Sequence, residues 1–150
     1  MSAAAPSRRI DVARATSAFE HALAEHSQEF GKFFLARLYG FEITFPEKEC
    51  EVAFEVADFM FNPQGTLHGG VIATALDVSM GHLLHRTAGP GTTLEFKVQF
   101  LAPIRAGRVR CRGRIMRLGR SLAFLSSEAR DYSDQPAAFA TATWKLLGSK

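Results

Sequence analysis

Cysteine is scarce in this chain, and the little there is forms no pattern. Cys50 and Cys111 are its two cysteines, far apart, with neither CxxC nor Cys/His metal-ligand spacing. Each reads as a small buried or half-buried hydrophobe in a reducing compartment, so neither a disulfide scaffold nor a metal site is expected. Long apolar runs are missing too: no stretch reaches the ~18 uninterrupted apolar residues that a membrane span needs. Residues 1–9 have no apolar run after their charges, so no signal peptide is read there and a cytoplasmic protein is the expectation. Charge of one sign is not in excess, and a net value of +3 is too small to argue for nucleic acid. Internal repeats and low-complexity tracts are lacking. At 150 residues, 47% hydrophobic and 22% charged, the chain reads as one globular domain, 1–150, large enough for a core of its own.

What is present is periodicity. Val12, Ala15, Phe19, Leu23, Phe30, Phe33, Phe34 and Leu38 recur at helical spacing, in two pieces broken near Ser27, with Tyr39-Gly40 as the stop. After a loose Ala/Ser-rich start over 1–9, this makes 1–40 a helical extension. Phe41, Ile43 and Phe45 then alternate with polar residues, Pro46 to Glu49 turn the chain, and Cys50, Val52, Phe54 and Val56 alternate again. Two such runs joined by a short turn form a hairpin. Four further strands are expected at 94–100, 108–118, 121–130 and 137–147. The first has Leu94, Phe96, Val98 and Phe100 on its apolar face.

Between the hairpin and those strands lies Asn62-Pro63-Gln64-Gly65-Thr66-Leu67-His68-Gly69-Gly70, running on to about His85. It reads as a polar loop, a glycine turn and a helix apolar on almost every face, and such a helix is buried. The sequence order is helix, hairpin, buried helix and four strands, an α+β domain with a largely antiparallel sheet. One carboxylate, Asp77, lies well inside the apolar helix. A buried lone carboxylate costs several kcal/mol unless it is paired or hydrogen-bonded, so its presence needs a reason. A second anomaly is the crowding of Arg105, Arg108, Arg110, Arg112, Arg114, Arg117 and Arg120. That cluster is either a solvated strand face or an attractor of an anionic, phosphate-bearing ligand.

Asn62, His68-Gly69-Gly70 and Asp77, on a loop-helix framework inside a six-strand pattern, resemble the hotdog-fold acyl-CoA thioesterases, and more narrowly the phenylacetyl-CoA (PaaI-like) type. The resemblance covers roughly 41–147. It implies a long central helix rolled in a curved antiparallel sheet, and two subunits joined edge to edge, with a dimer of dimers as the expected assembly. It implies that Asp77 is the essential carboxylate, that Asn62 and His68 are the loop residues of the site, and that the Gly69 amide contacts the thioester oxygen, with Gly70 beside it. A hydroxyl that orients water falls on Thr93, although the family position is Ser in some relatives and Thr92 is adjacent here. Arg117 and Arg120, flanking Leu118-Gly119, are the candidates for coenzyme A phosphates. The implied ligand is an acyl-CoA, and no cofactor is called for.

The chemistry can be argued from the residues as well. Thioester hydrolysis builds negative charge on the carbonyl oxygen, which calls for preorganised donors. Free amides at a helix N-terminus supply them, helped by the helix dipole. Asp77 can serve as base or nucleophile, and a polar neighbour such as Thr93 would help to keep it ionised. Eight residues separate it from Gly69, about 12 Å along a helix at ~1.5 Å per residue, whereas reacting groups need ~3 Å. One helix cannot place both groups on one carbonyl. Two antiparallel copies about a two-fold axis can, which predicts a composite site at a dimer interface.

Each residue also has a plainer reading. Asp77 can hold the helix register as a satisfied carboxylate, His68 can cap the helix, Asn62 can be a turn residue, and Gly69 and Gly70 can serve close packing. His82 and His85 read as packing or dipole-compensating residues, a poor metal pair without a carboxylate. Phe59, Met60 and Phe61 read as core or acyl-pocket wall. Two other functions compete with hydrolysis. One is a hotdog hydratase or dehydratase, which pairs a carboxylate with a His; here His68 sits at the helix entry, two turns before Asp77, and no loop carries an Asp-x-x-x-x-His segment. The other is a noncatalytic acyl-CoA binding or sensing domain.

Overall fold

The computed structural model describes residues 9–148, so all of the loose start except Arg9 lies outside the described residues. Two helices come first, α1 (Val12–Glu25) and α2 (Phe34–Leu38). Asp11 caps α1, its carboxylate accepting from the Arg14 amide at 3.0 Å, which satisfies one of the free first-turn amides. The break expected near Ser27 is a non-helical connection over 26–33.

The hairpin follows as β1 (Glu42–Thr44) and β2 (Cys50–Glu55), then the long helix α3 (Gly69–Ala88). Four strands close the chain: β3 (Gly91–Phe100), β4 (Arg108–Leu118), β5 (Leu122–Arg130) and β6 (Pro136–Leu146). α3 runs three residues beyond His85, because Arg86, Thr87 and Ala88 all tolerate the helix and Gly89 is where the backbone leaves it. All six strands form one antiparallel sheet in the order β1-β2-β4-β5-β6-β3. α3 packs against β2, β3, β4, β5 and β6, so the sheet wraps the helix.

The core lies in that wrap. Leu76, Met80 and Leu84 of α3 are fully buried against Phe54, Val109 and Leu125 of the sheet. Met60 is buried, and Phe59 and Phe61 are partly buried against the same core. A fully buried polar tie helps to fix the helix to the sheet. Ser79 Oγ donates to the Leu76 carbonyl at 2.7 Å and lies 2.7 Å from Ser127 Oγ, which leaves Ser127 to donate. Cys50 and Cys111 are both free and fully buried. No helix among the described residues is long and apolar enough to cross a membrane.

Three irregularities depart from plain alternation, one of them at the end of β5, where the β5–β6 register shifts between Ala129 and Arg130. The β3–β6 register shifts between Thr93 and Glu95, and the β4–β5 register between Ile115 and Arg117. A bulge sets two residues against one and reverses the facing of the residues beyond it. Leu94, expected on the apolar face, is therefore 56% exposed, while Phe96 and Val98 pack against the core. Thr93 is turned toward α3 instead. β3 is an edge strand, bonded to β6 on one side alone. Phe100 and Leu101 at its end are exposed as well.

Candidate active site

The mouth of α3 is held by its own loop. The side-chain carbonyl oxygen of Asn62 accepts from the Gln64 and Thr66 amides at 3.0 and 3.2 Å, and its Nδ2 donates to Thr66 Oγ1 at 2.8 Å. This Asx arrangement fixes the turn before the helix. His68 is the N-cap, with Nδ1 accepting from the Gly70 amide at 2.8 Å. The Gly70 amide is thereby committed, and the Gly69 amide has no hydrogen-bond acceptor among the described residues. A side-chain carbon on Gly69 would stand 3.0 Å from the Phe100 ring. Asn62, Gly69 and Phe100 all line a cavity of about 390 Å³ at this end of the helix.

Asp77 sits two turns further on, half-buried. Thr93 Oγ1 donates to its Oδ1 at 3.1 Å, a contact that exists because the β3 bulge turns Thr93 inward. Burial raises the carboxyl above its ordinary value, and the Thr93 hydrogen bond opposes that rise. No cation pairs with it among the described residues. The carboxylate lines a cavity of about 270 Å³, walled by Phe30, Phe33, Gly81, His82 and Trp144 among others. This cavity shares no lining residue with the one at Gly69. Within one chain, carboxylate and helix mouth therefore open into separate spaces. A roomier cavity of about 720 Å³ lies by the far end of α3, between Phe45, Leu83 and Leu118. It holds none of the proposed reacting groups, so chemistry rather than volume singles out the space under Asp77.

The walls around Asp77 include residues that sequence reasoning missed. His82 is buried, and that burial lowers its pKa against the pull of a hydrogen bond to the Val78 backbone. Its Nε2 and Trp144 Nε1 have no partner among the described residues. Phe30 stands edge-on to His82 at 4.9 Å and stacks on His85 at 3.7 Å between centroids, so both histidines do pack. Trp144 lies across the helix at Gly81, where a side-chain carbon would come within 2.6 Å of the ring. A signal for it existed. The inward positions of β6 run Ala138, Ala140, Ala142 and then Trp144, one large residue after three small ones.

Most of the arginine cluster neutralises itself. Arg108 pairs with Glu42 and Glu55, Arg110 with Asp134, Arg112 with Glu51 and Arg114 with Glu49. Arg117 and Arg120 are exposed and carry no acidic partner among the described residues. Of the two readings of the cluster, the solvated face thus accounts for Arg108 to Arg114 and leaves Arg105, Arg117 and Arg120, all exposed, without an acidic partner among the described residues.

Comparison with known proteins is consistent with this geometry. A family model described as the thioesterase superfamily matches residues 64–138. The medium/long-chain acyl-CoA thioesterase YigI of Escherichia coli strain K12 is 31% identical over 130 residues, 73% of this chain and 83% of YigI. The chain spans 63% and 58% of two esterase-named relatives, from Saccharolobus solfataricus and Caenorhabditis elegans, each 32% identical. Among solved structures, the BH2602 protein of Bacillus halodurans, determined with CoA, superposes with a TM-score of 0.81 at 23% identity over 99% of both chains. A phenylacetic acid degradation-related protein of Ralstonia eutropha JMP134 superposes with a TM-score of 0.71 at 26% identity, over 86% of this chain and 99% of that one. With half of its length matched by the family model and its helix wrapped by a six-stranded antiparallel sheet, the chain belongs to the thioesterase superfamily and has the hotdog fold.

Proposed function

We propose that the protein hydrolyses an acyl-CoA thioester, with a small or medium acyl or aryl-acyl group, to a free acid and coenzyme A. One observation carries this reading: a half-buried carboxylate in an apolar helix, answered by a single hydroxyl and facing a cavity. A carboxylate kept for structure alone would have a cation or several donors around it.

Asp77 takes a proton from water, whose oxygen adds to the thioester carbonyl. The negative charge that develops on the carbonyl oxygen is met by the Gly69 amide of a second copy. The C–S bond then breaks and the sulfur leaves with a proton. Direct attack by Asp77, through an anhydride that water opens, uses the same arrangement. His68 and Asn62 order the helix mouth, Gly70 leaves room beside it, and Thr93 holds the carboxylate in place. The second copy is required because about 12 Å of helix, at ~1.5 Å per residue, separates the two groups. Pairing through the free edge of β3, with Leu94 and Phe100 exposed there, supports a two-fold dimer. Arg117 and Arg120 are assigned to the coenzyme A phosphates, and CoA in the BH2602 structure supports the choice of thiol carrier.

The test is coenzyme A release from a panel of acyl-CoAs, followed with a thiol reagent. Asp77→Ala is expected to lower kcat by about 10²–10⁴-fold with the fold retained by circular dichroism. Undiminished turnover in that variant would move the chemistry elsewhere. Tight binding with no thiol released would fit the noncatalytic binding domain.

A second reading, hydration of an enoyl thioester, is favoured by one observation. His82 lines the same cavity as Asp77, five residues on, though within the helix rather than on a loop. Loss of enoyl absorbance without thiol release, in the same panel, would establish it.

A further inference from the structure

We infer that the connection between α1 and α2, together with Trp144, bounds the acyl group and sets how long a chain the site accepts. The inference rests on the thioesterase reading of Asp77 and adds the residues that set chain-length specificity. The cavity under Asp77 is small, about 270 Å³ against about 720 Å³ for the one at the far end of α3. Its floor is fixed. Trp144 rests on Gly81 so closely that not even a methyl group fits between them, and the ring is 7% exposed. Its far wall is Phe30 and Phe33, which belong to the non-helical connection. Phe30 is braced on His82 and His85, and Phe33 stands 6.2 Å from His82.

The placement of these walls along the chain gives the inference its force. Gly69, Asp77 and Thr93 all fall within the family-matched residues 64–138, whereas Phe30, Phe33 and Trp144 all fall outside them. The shared segment thus carries the proposed reacting groups and part of the wall, Val78, Gly81 and His82, while the flanking segments add its large aromatic residues Phe30, Phe33 and Trp144. Phe59, Met60 and Phe61, read from the sequence as core or acyl-pocket wall, belong to the core and do not line this cavity.

The experiment is kcat/KM for straight-chain esters from acetyl- to palmitoyl-CoA, with phenylacetyl-CoA alongside, on the full chain. Wild type should lose at least about tenfold from its best ester to the longest one in the series. Phe33→Ala and Phe30→Ala should each recover at least about tenfold on the longer esters relative to acetyl-CoA. Phe30 is half-exposed, so its variant should fold, and Phe33→Leu is the milder second change. A wild-type optimum at palmitoyl-CoA overturns the inference. So do variants that unfold at the wild-type temperature with an unchanged length profile. Hydrolysis with no length preference overturns this inference alone, whereas no hydrolysis of any ester overturns the thioesterase reading and this inference with it.

Discussion

Asp77 is subject to two opposed demands. Chemistry wants it ionised near neutral pH, while burial favours the protonated form, and the Thr93 hydroxyl only partly restores the balance. The sign of the consequence follows from linkage. Below the ordinary carboxylate pKa, Asp77 is protonated both folded and unfolded, so it imposes no penalty. As pH rises through the higher folded value, the native protein must hold a charge that the unfolded chain holds more easily, and stability is lost. Asp77→Asn should therefore melt at a higher temperature than wild type at neutral pH, with the difference vanishing in acid. Thermal unfolding at a series of pH values checks this. Equal melting temperatures at neutral pH would mean that the carboxylate is not strained by its surroundings. The anomaly was legible in the sequence because a lone acid inside an apolar helix has few reasons to be there. Its neighbours Phe30 and Phe33 were not, since a cavity assembled from the two ends of a chain leaves no shared local spacing to read, and Trp144 showed only as one large residue after three small ones in β6.

The elements themselves were legible where one period governs. α3, the hairpin and β4 to β6 follow from 3.6-residue or two-residue repeats. The register shifts do not, because alternation counts residues and a bulge sets two against one. At Leu94 the reversal moves an expected core residue out and brings Thr93 to the carboxylate. At Met116 it places Arg117 on the outer face, with Arg114 two pairings away along β4. Arg117 then leads into the β4–β5 turn with Arg120, past the last of the self-neutralised pairs. At that turn, Arg120→Ala or Arg117→Ala should raise KM for coenzyme A esters more than it lowers kcat, because a phosphate contact acts equally on substrate and transition state. Steady-state kinetics decide it, and an unchanged KM in both variants removes the phosphate site.

For the molecule as a whole, two cavities that share no residue are the central fact. If each Asp77 serves the helix mouth of a twin, mutants defective in different halves should complement. An Asp77→Ala chain mixed with a Gly69→Val chain should regain about a quarter of wild-type activity after random exchange, since half of the dimers are mixed and each of these has one intact site. No recovery after verified exchange would count against sharing. The two cysteines bear on how cleanly any of this can be measured. Both are shut inside the sheet at 0% exposure, with the Cys50 thiol pushed up to about 12 by burial. Colour from a sulfhydryl dye added to native protein therefore comes from the liberated product rather than from the polypeptide, and a stoichiometric two-sulfur burst would announce denaturation in the same cuvette.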